Sequence, residues 1–320
     1  MTNLSSQDPL VDLGRWLKDQ QYRFITVTPA THARVNARAD SQQAHDLRGV
    51  FGWSRPFAPA LLPAPVRAGL EQAEMMRPAP GGLLRSAVRF SSLGEQLYAH
   101  SSFPTEDEDA VFFGPDTYRF AASIEAELAR QPLSASARIL DLGCGAGPGG
   151  MVAALAAHDA APELVLADIN PRALRHARAN AQLAGLARVA LLHSDLYADV
   201  AGEFDLIVAN PPYMVDPGAR TYRHGGGPLG GGLSERIVAE GLPRLRPGGR
   251  LLLYTGAAIV DGLDPLHAAL RPVIAQRGWS GSYRELDPDV FGEELDTPAY
   301  GHVDRIAAVA LTVQRPLASA

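Results

Sequence analysis

From about residue 111 onward, short apolar runs alternate with longer amphipathic stretches. The runs are Arg138-Ile139-Leu140, Leu164 to Ala167, Val189 to Leu192, Leu206 to Ala209 and Leu251 to Tyr254. Between them, Arg172 to Ala184 and Leu233 to Leu245 repeat apolar residues at helical spacing. Before the first run, Phe120, Ile124 and Leu128 share one helical stripe, with Asp116 placed to cap that helix. This alternation predicts an α/β fold with a doubly wound, mostly parallel sheet whose ligands sit at the carboxyl ends of its strands. A final run, Ile306 to Val313, follows Trp279 to Pro288 without an intervening helical pattern, so it is expected to pair antiparallel at or near the sheet edge.

The first hundred residues follow another pattern. Asp8-Pro9 and Thr28-Pro29 read as helix starts, and Ser41 as a further one. Leu10, Leu13 and Leu17 form one stripe, and Pro65 to Met76 is helical in pattern until Arg77-Pro78-Ala79-Pro80-Gly81-Gly82 breaks it. Leu84 to Phe90 and Gln96 to His100 flank the turn Ser91-Ser92-Leu93-Gly94, the mark of a hairpin. Helices followed by a hairpin predict a smaller, winged-helix-like domain over residues 1–108, with the α/β domain over 109–320. The acidic run Glu106 to Asp109 reads as a solvated linker between them.

Composition narrows the class. The chain has 320 residues, 46% hydrophobic and 20% charged, as in an ordinary globular protein. No apolar run approaches the roughly 20 residues needed to cross a bilayer, and Met1 to Leu10 is polar and acidic. A cytoplasmic enzyme with no membrane partner is expected. One cysteine, Cys144, excludes an internal disulfide framework, and His193, His224, His267 and His302 lack metal-ligand spacing. The net charge is −6, and residues 1–109 carry eleven Lys/Arg against twelve Asp/Glu, which argues against a strong nonspecific nucleic-acid binder.

The chemistry concentrates at strand ends. Asp141-Leu142-Gly143-Cys144-Gly145-Ala146-Gly147-Pro148-Gly149-Gly150 follows the first strand, with five glycines in eight positions from Gly143. Such a loop lets a ligand approach the backbone closely. Gly145, Gly147 and Gly150 also satisfy the dinucleotide pattern, so a nucleotide-dependent oxidoreductase is the rival reading. Three acids favour S-adenosylmethionine instead. Asp141 can take the ammonium of a methionine moiety, directly or through water, where it would repel a pyrophosphate. Asp168 ends the second strand, placed to accept from ribose hydroxyls, and Asp195 ends the third, placed for an adenine amine. Their neighbours Ile169 and Leu196 complete the expected cofactor set with Gly143, Gly145, Gly147 and Asn210. Cys144, with no histidine near it in sequence, reads as a small packing side chain.

Asn210-Pro211-Pro212-Tyr213 ends the fourth strand. With the glycine loop before it, the region from about 111 to 315 resembles the amino-methyltransferase branch of the class I methyltransferases, and within it the release-factor glutamine methyltransferases and their small-domain relatives. The resemblance implies a seven-stranded Rossmann-like sheet and catalytic roles for Asn210, Pro211, Pro212 and Tyr213. An amide or exocyclic amine nitrogen is a poor nucleophile because its lone pair is delocalised. The Asn210 side-chain oxygen and the Pro211 carbonyl can accept both N–H bonds and favour a pyramidal nitrogen; the prolines hold the turn, and Tyr213 can stack on the planar group. The expected acceptor is a protein glutamine amide, with a base amine in RNA or DNA, or a small-molecule amine or amide, as alternatives.

Three segments surround this turn. Tyr222 to Gly232 has more glycine than the resembling family and lacks its Glu-Pro lead-in; it reads equally as a flap over the acceptor or a flexible loop. Phe113 and Tyr118 read as core aromatics, with lining of the site as the alternative, and Asp287 to Glu294 as a solvated connection, with a place on the pocket rim as the alternative.

Overall fold

The computed structural model describes residues 8–105, 107–157, 161–216, 218, 220 and 222–317. Its N-terminal region holds four helices, α1 (Pro9–Asp19), α2 (Pro29–Asn36), α3 (Leu47–Phe51) and α4 (Ala64–Gln72). Two hairpins follow, β1 (Met76–Ala79) with β2 (Leu83–Ser86), and β3 (Val88–Leu93) with β4 (Gln96–Ser101). Asp8 and Thr28 cap α1 and α2 as expected, their side chains accepting from Leu10 N and Thr31 N. Ser41 starts no α-helix; it ends a single 3-10 turn, and α3 is capped by Asp46. The helix expected to reach Met76 stops at Gln72, and the single strand expected from Leu84 to Phe90 is two strands. Each of these pairs with a different partner, so the proline-glycine segment forms a hairpin of its own.

The rest alternates in order: α5 (Pro115–Arg130), β5 (Arg138–Leu142), α6 (Pro148–Leu155), β6 (Glu163–Asp168), α7 (Pro171–Leu183), β7 (Val189–His193), β8 (Phe204–Ala209), α8 (Gly232–Gly241), β9 (Leu245–Ile259), α9 (Pro265–Ala275), β10 (Ser280–Asp287) and β11 (Arg305–Gln314). One seven-stranded sheet runs β10-β11-β9-β8-β5-β6-β7. Strands β5 to β9 pair in parallel, while β11 inserts antiparallel between β9 and β10, one position in from the edge. The order reverses at β5, so the carboxyl ends of β5, β6 and β8 converge on one crevice. Both faces are covered: Ile139, Leu166 and Val208 pack on one side with α5 and α6, and Leu140, Val165 and Ile207 on the other with α8.

The N-terminal region is joined to this sheet domain through α7. Leu183 and Ala179 belong to the same core as Leu10, Trp16, Phe51 and Phe90, and Lys18 donates to the Leu183 carbonyl at 2.9 Å. Asn180 is fully buried between the two regions. It accepts from Ala99 N at 2.7 Å and donates to Ala99 O and to Ala146 O of the glycine loop, at 3.0 and 2.9 Å. The acidic run is exposed at Glu108 and Asp109, as expected of a solvated stretch, but it is tethered: Asp107 and Asp109 both pair with Arg172 of α7, and Asp107 also pairs with Arg77. Glu106 lies outside the described residues. No helix among the described residues is long and apolar enough to cross a membrane.

Candidate functional site

A cavity of about 850 Å³ opens at the carboxyl ends of β5, β6 and β8 and continues to the N-terminal region. Its wall includes Asp141, Gly143, Gly145, Asp168, Ile169, Asp195, Leu196, Asn210, Pro211, Pro212 and Tyr213, so residues from four strand ends meet in one space. Gly143 and Gly145 have φ of 66° and 54°, and a Cβ at either would meet nothing within 4 Å. Glycine is needed there for its backbone angle, and the bare loop leaves a cradle for a ligand. Gly147 departs from the expectation. It also has positive φ, but it is absent from the cavity wall, and a Cβ there would run into Met151 and Leu166 of the core. Its glycine serves the turn into α6.

The acids differ in environment. Asp141 is 1% exposed and accepts from Gly150 N at 2.7 Å. Burial raises its carboxyl to about pH 7, against the stabilising Gly150 bond, with Asp168 adding repulsion. Asp168 accepts from Gly145 N and Asn170 N, each at 2.8 Å, one per carboxylate oxygen. Each oxygen keeps a further lone pair for a ligand hydroxyl. Burial raises its pKa as well, partly offset by those bonds. Asp195 is exposed at the rim, and Leu196 beside it holds a positive φ of 47°. Ile169 is 47% exposed on the cavity wall, an apolar face open to a planar ring. Cys144 is buried, and burial raises its thiol well above the ordinary value, as suits a packing residue.

Asn210 leaves the end of β8 with its side-chain amide unbonded among the described residues, so its oxygen is free to accept from a ligand. Tyr213 is more constrained than a free stacking ring. Its hydroxyl donates to Asp116 at 2.6 Å, its ring lies edge-on to Phe291 at 5.9 Å, and its other side packs directly on Gly256. Asp116 does not cap α5, whose N-cap is Gly114; it is buried and also accepts from Tyr254 OH at 2.7 Å and from Arg119 at 3.2 Å. Sequence reading missed this hub, because nothing in spacing links position 116 to 213 and 254.

The glycine-rich stretch is built against the Asn210–Tyr213 turn. Met214 N donates to Arg223 O and Gly225 N to Met214 O, at 3.0 and 2.8 Å. A Cβ on Gly225 would collide with the Gly230 and Pro212 carbonyls, and one on Gly230 with that of Tyr213. The glycines let backbone pack on backbone, which neither a free flap nor a plain flexible loop requires. Beside them, Asp216 is held well below the usual carboxylate range, to about 2, by Arg220 and Arg223. Asp287 to Glu294 takes its alternative place on the pocket rim while staying partly solvated: Asp289, Val290, Phe291 and Glu293 line the cavity, Pro288 and Gly292 are exposed, Asp287 pairs with Arg119 at 2.7 Å, and Glu294 pairs with Arg223. Phe113 lines the cavity and stacks on His100, while Tyr118 accepts from Thr26 N. No cluster of metal-ligating side chains occurs among the described residues.

The bare loop, the acids at three strand ends and Ile169 fit S-adenosylmethionine. Comparison with known proteins points the same way. The methyltransferase small domain matches residues 123–259. A release factor glutamine methyltransferase of Cereibacter sphaeroides is 33% identical over 245 residues, covering 70% of this chain and 82% of that one. Its counterpart from Deinococcus radiodurans is 35% identical over 171 residues, covering 49% of this chain but only 55% of that one. The ribosomal RNA small subunit methyltransferase C of Serratia proteamaculans is 31% identical over 143 residues, 44% of this chain and 37% of that one. These relatives leave no place for the oxidoreductase alternative. The chain belongs to the class I S-adenosylmethionine-dependent methyltransferases, in the methyltransferase small-domain family.

Proposed function

We propose that this enzyme methylates the side-chain amide nitrogen of a glutamine in a protein. The observation that carries the reading is Asn210: its unbonded amide stands at the end of β8, in the same cavity as the bare glycine loop. Bound in that loop, the cofactor supplies an activated methyl group. Asn210 Oδ1 and the Pro211 carbonyl accept the two N–H bonds of the acceptor amide and hold its nitrogen. Their hydrogen bonds strengthen as the nitrogen gains positive charge, so they lower the barrier more than they tighten binding. No strong base is required, because the methylated nitrogen becomes acidic on its own. The Asp116 hub and the glycine packing hold Tyr213 and the turn rigid, so the acceptors need no reordering.

A protein acceptor is preferred over RNA for two reasons. The glutamine-methylating relative from Cereibacter sphaeroides aligns over 82% of its length, the ribosomal RNA relative over 37%. The net charge of −6 also argues against a strong nonspecific binder of a phosphate backbone. Transfer of a tritiated methyl group in a cell extract, followed by protease or nuclease digestion, tests this. Label released by protease and recovered as N-methylglutamine is expected; label released only by nuclease would replace the glutamine with a base.

A further inference from the structure

Beyond the catalytic turn the cavity runs into the N-terminal region, where Thr26, Val27, Thr28, Ala30 and Arg89 line it. Arg89 on β3 stands opposite His100 on β4 and is 4% exposed. Its Nη2 makes one long bond to Thr26 Oγ1, 3.4 Å, and its Nε has no acceptor. Among the described residues no carboxylate lies within ion-pair distance of it. Arg250, equally buried, has Glu127 at 2.9 Å. The groups around Arg89 are neutral. His100, bonded to Ser91 and to the Ser101 carbonyl, is held well below its usual pKa, and burial raises Tyr22 and Tyr118. The Phe24 ring, 5.6 Å away, adds partial compensation.

A buried guanidinium without a counter-charge is costly, and burial pulls its pKa down to about 10. Next to it, the N–H groups of Val27, Thr28 and Ala30 have no intramolecular acceptor among the described residues, and the last two open α2. Helix starts of this kind favour negative charge. A phosphate strand would call for a track of cations, whereas this arm presents a single buried fork shaped for one carboxylate.

We propose that this arm binds the carboxylate of an aspartate or glutamate flanking the target glutamine, making Arg89 a specificity determinant for an acidic peptide. The proposal rests on the glutamine reading. The test is calorimetry on the full chain saturated with S-adenosylhomocysteine, titrated with blocked Glu-Gln and Ala-Gln dipeptides and with inorganic phosphate. Glu-Gln is expected to bind about ten- to a hundredfold more tightly than Ala-Gln, the usual worth of a charge-assisted bond. In Arg89→Met that ratio falls to about one, and Arg89→Lys, which keeps the charge but loses the fork, lies between. Removing the unpaired charge is expected to leave the melting temperature unchanged or raised. Equal binding of the two dipeptides to wild type overturns the carboxylate site, as does an unchanged ratio in Arg89→Met. A Glu-Gln preference measured in the chain without S-adenosylhomocysteine but absent in the saturated chain also overturns it, by assigning Arg89 to the cofactor's own carboxylate. Arg89-dependent phosphate binding with neither dipeptide bound would instead remove the glutamine reading.

Discussion

Asp141 should make cofactor affinity depend on pH. Its carboxyl, buried and facing the cavity, titrates at about 7 in the free protein. Taking up the ammonium of the cofactor's methionine moiety requires the ionised form, and a cation in contact drives the pKa back down. Below pH 7, each unit of acidification then costs up to tenfold in affinity, because the site must first lose a proton. From pH 7 to pH 5 the ionised fraction drops from about one half to about one hundredth, a loss of about fiftyfold, and at higher pH affinity falls again as the ligand's α-amino group loses its own proton. Calorimetric titration with S-adenosylhomocysteine from pH 5 to 9 should give affinity that rises steeply from pH 5 and reaches its maximum above pH 7. Asp141→Asn should bind more weakly and lose the acid limb while keeping the alkaline one. The same shift has a stability consequence of opposite sign in the free protein. The folded pKa is raised, so the folded state holds the proton more tightly than the unfolded chain, and stability falls as pH rises from about 4 to 7. Constant affinity between pH 5 and 7 would refute the pairing of Asp141 with the ammonium.

Other residues give sharper separations of binding from catalysis. Asp168→Ala should weaken S-adenosylhomocysteine at least tenfold by calorimetry, through loss of charge-assisted bonds worth about 1.5–3 kcal/mol. Gly230→Ala, at φ +82° with its Cβ aimed at the Tyr213 carbonyl, should distort the Asn210–Tyr213 turn; methyl transfer should fall severalfold or more while cofactor affinity changes little. Asn180→Ala leaves the Ala99 N–H and the Ala99 and Ala146 carbonyls unsatisfied in a buried place, at about 1–3 kcal/mol for each group left unpaired. A melting temperature lowered by several degrees is expected, together with weaker cofactor binding, because Ala146 lies in the glycine loop.

The parts of this molecule readable in advance are those whose signal is local. Alternating apolar runs located the five parallel strands, and the antiparallel entry of β11 followed from a missing helical pattern. The acids at positions 141, 168 and 195 and the turn at 210–213 were visible because strand ends in such a fold converge by topology. What escaped depends on contacts distant in sequence. Asp116 looked like a cap because it follows a proline at a helix start; its partners Tyr213 and Tyr254 lie 97 and 138 residues away. Gly147 looked like its loop neighbours, yet its missing Cβ makes room for Met151. The acidic run at 107–109 is solvated as its sequence suggests, but its ion pairs went unseen because the cations, Arg77 and Arg172, are far along the chain in both directions. Leu183 and Ala179 gave no sign that the N-terminal region shares their core, so a fragment beginning near residue 108 would expose that face.

The central claim is that Asn210 holds the acceptor nitrogen during transfer. Asn210→Ala is compared with wild type in two readouts, S-adenosylhomocysteine affinity by calorimetry and the initial rate of tritiated methyl incorporation into the same extract. Affinity within about twofold is expected, with a rate lower by about 10²–10³, the usual effect of removing one preorganised polar group at a developing charge. Methyl transfer at the wild-type rate by Asn210→Ala would contradict it.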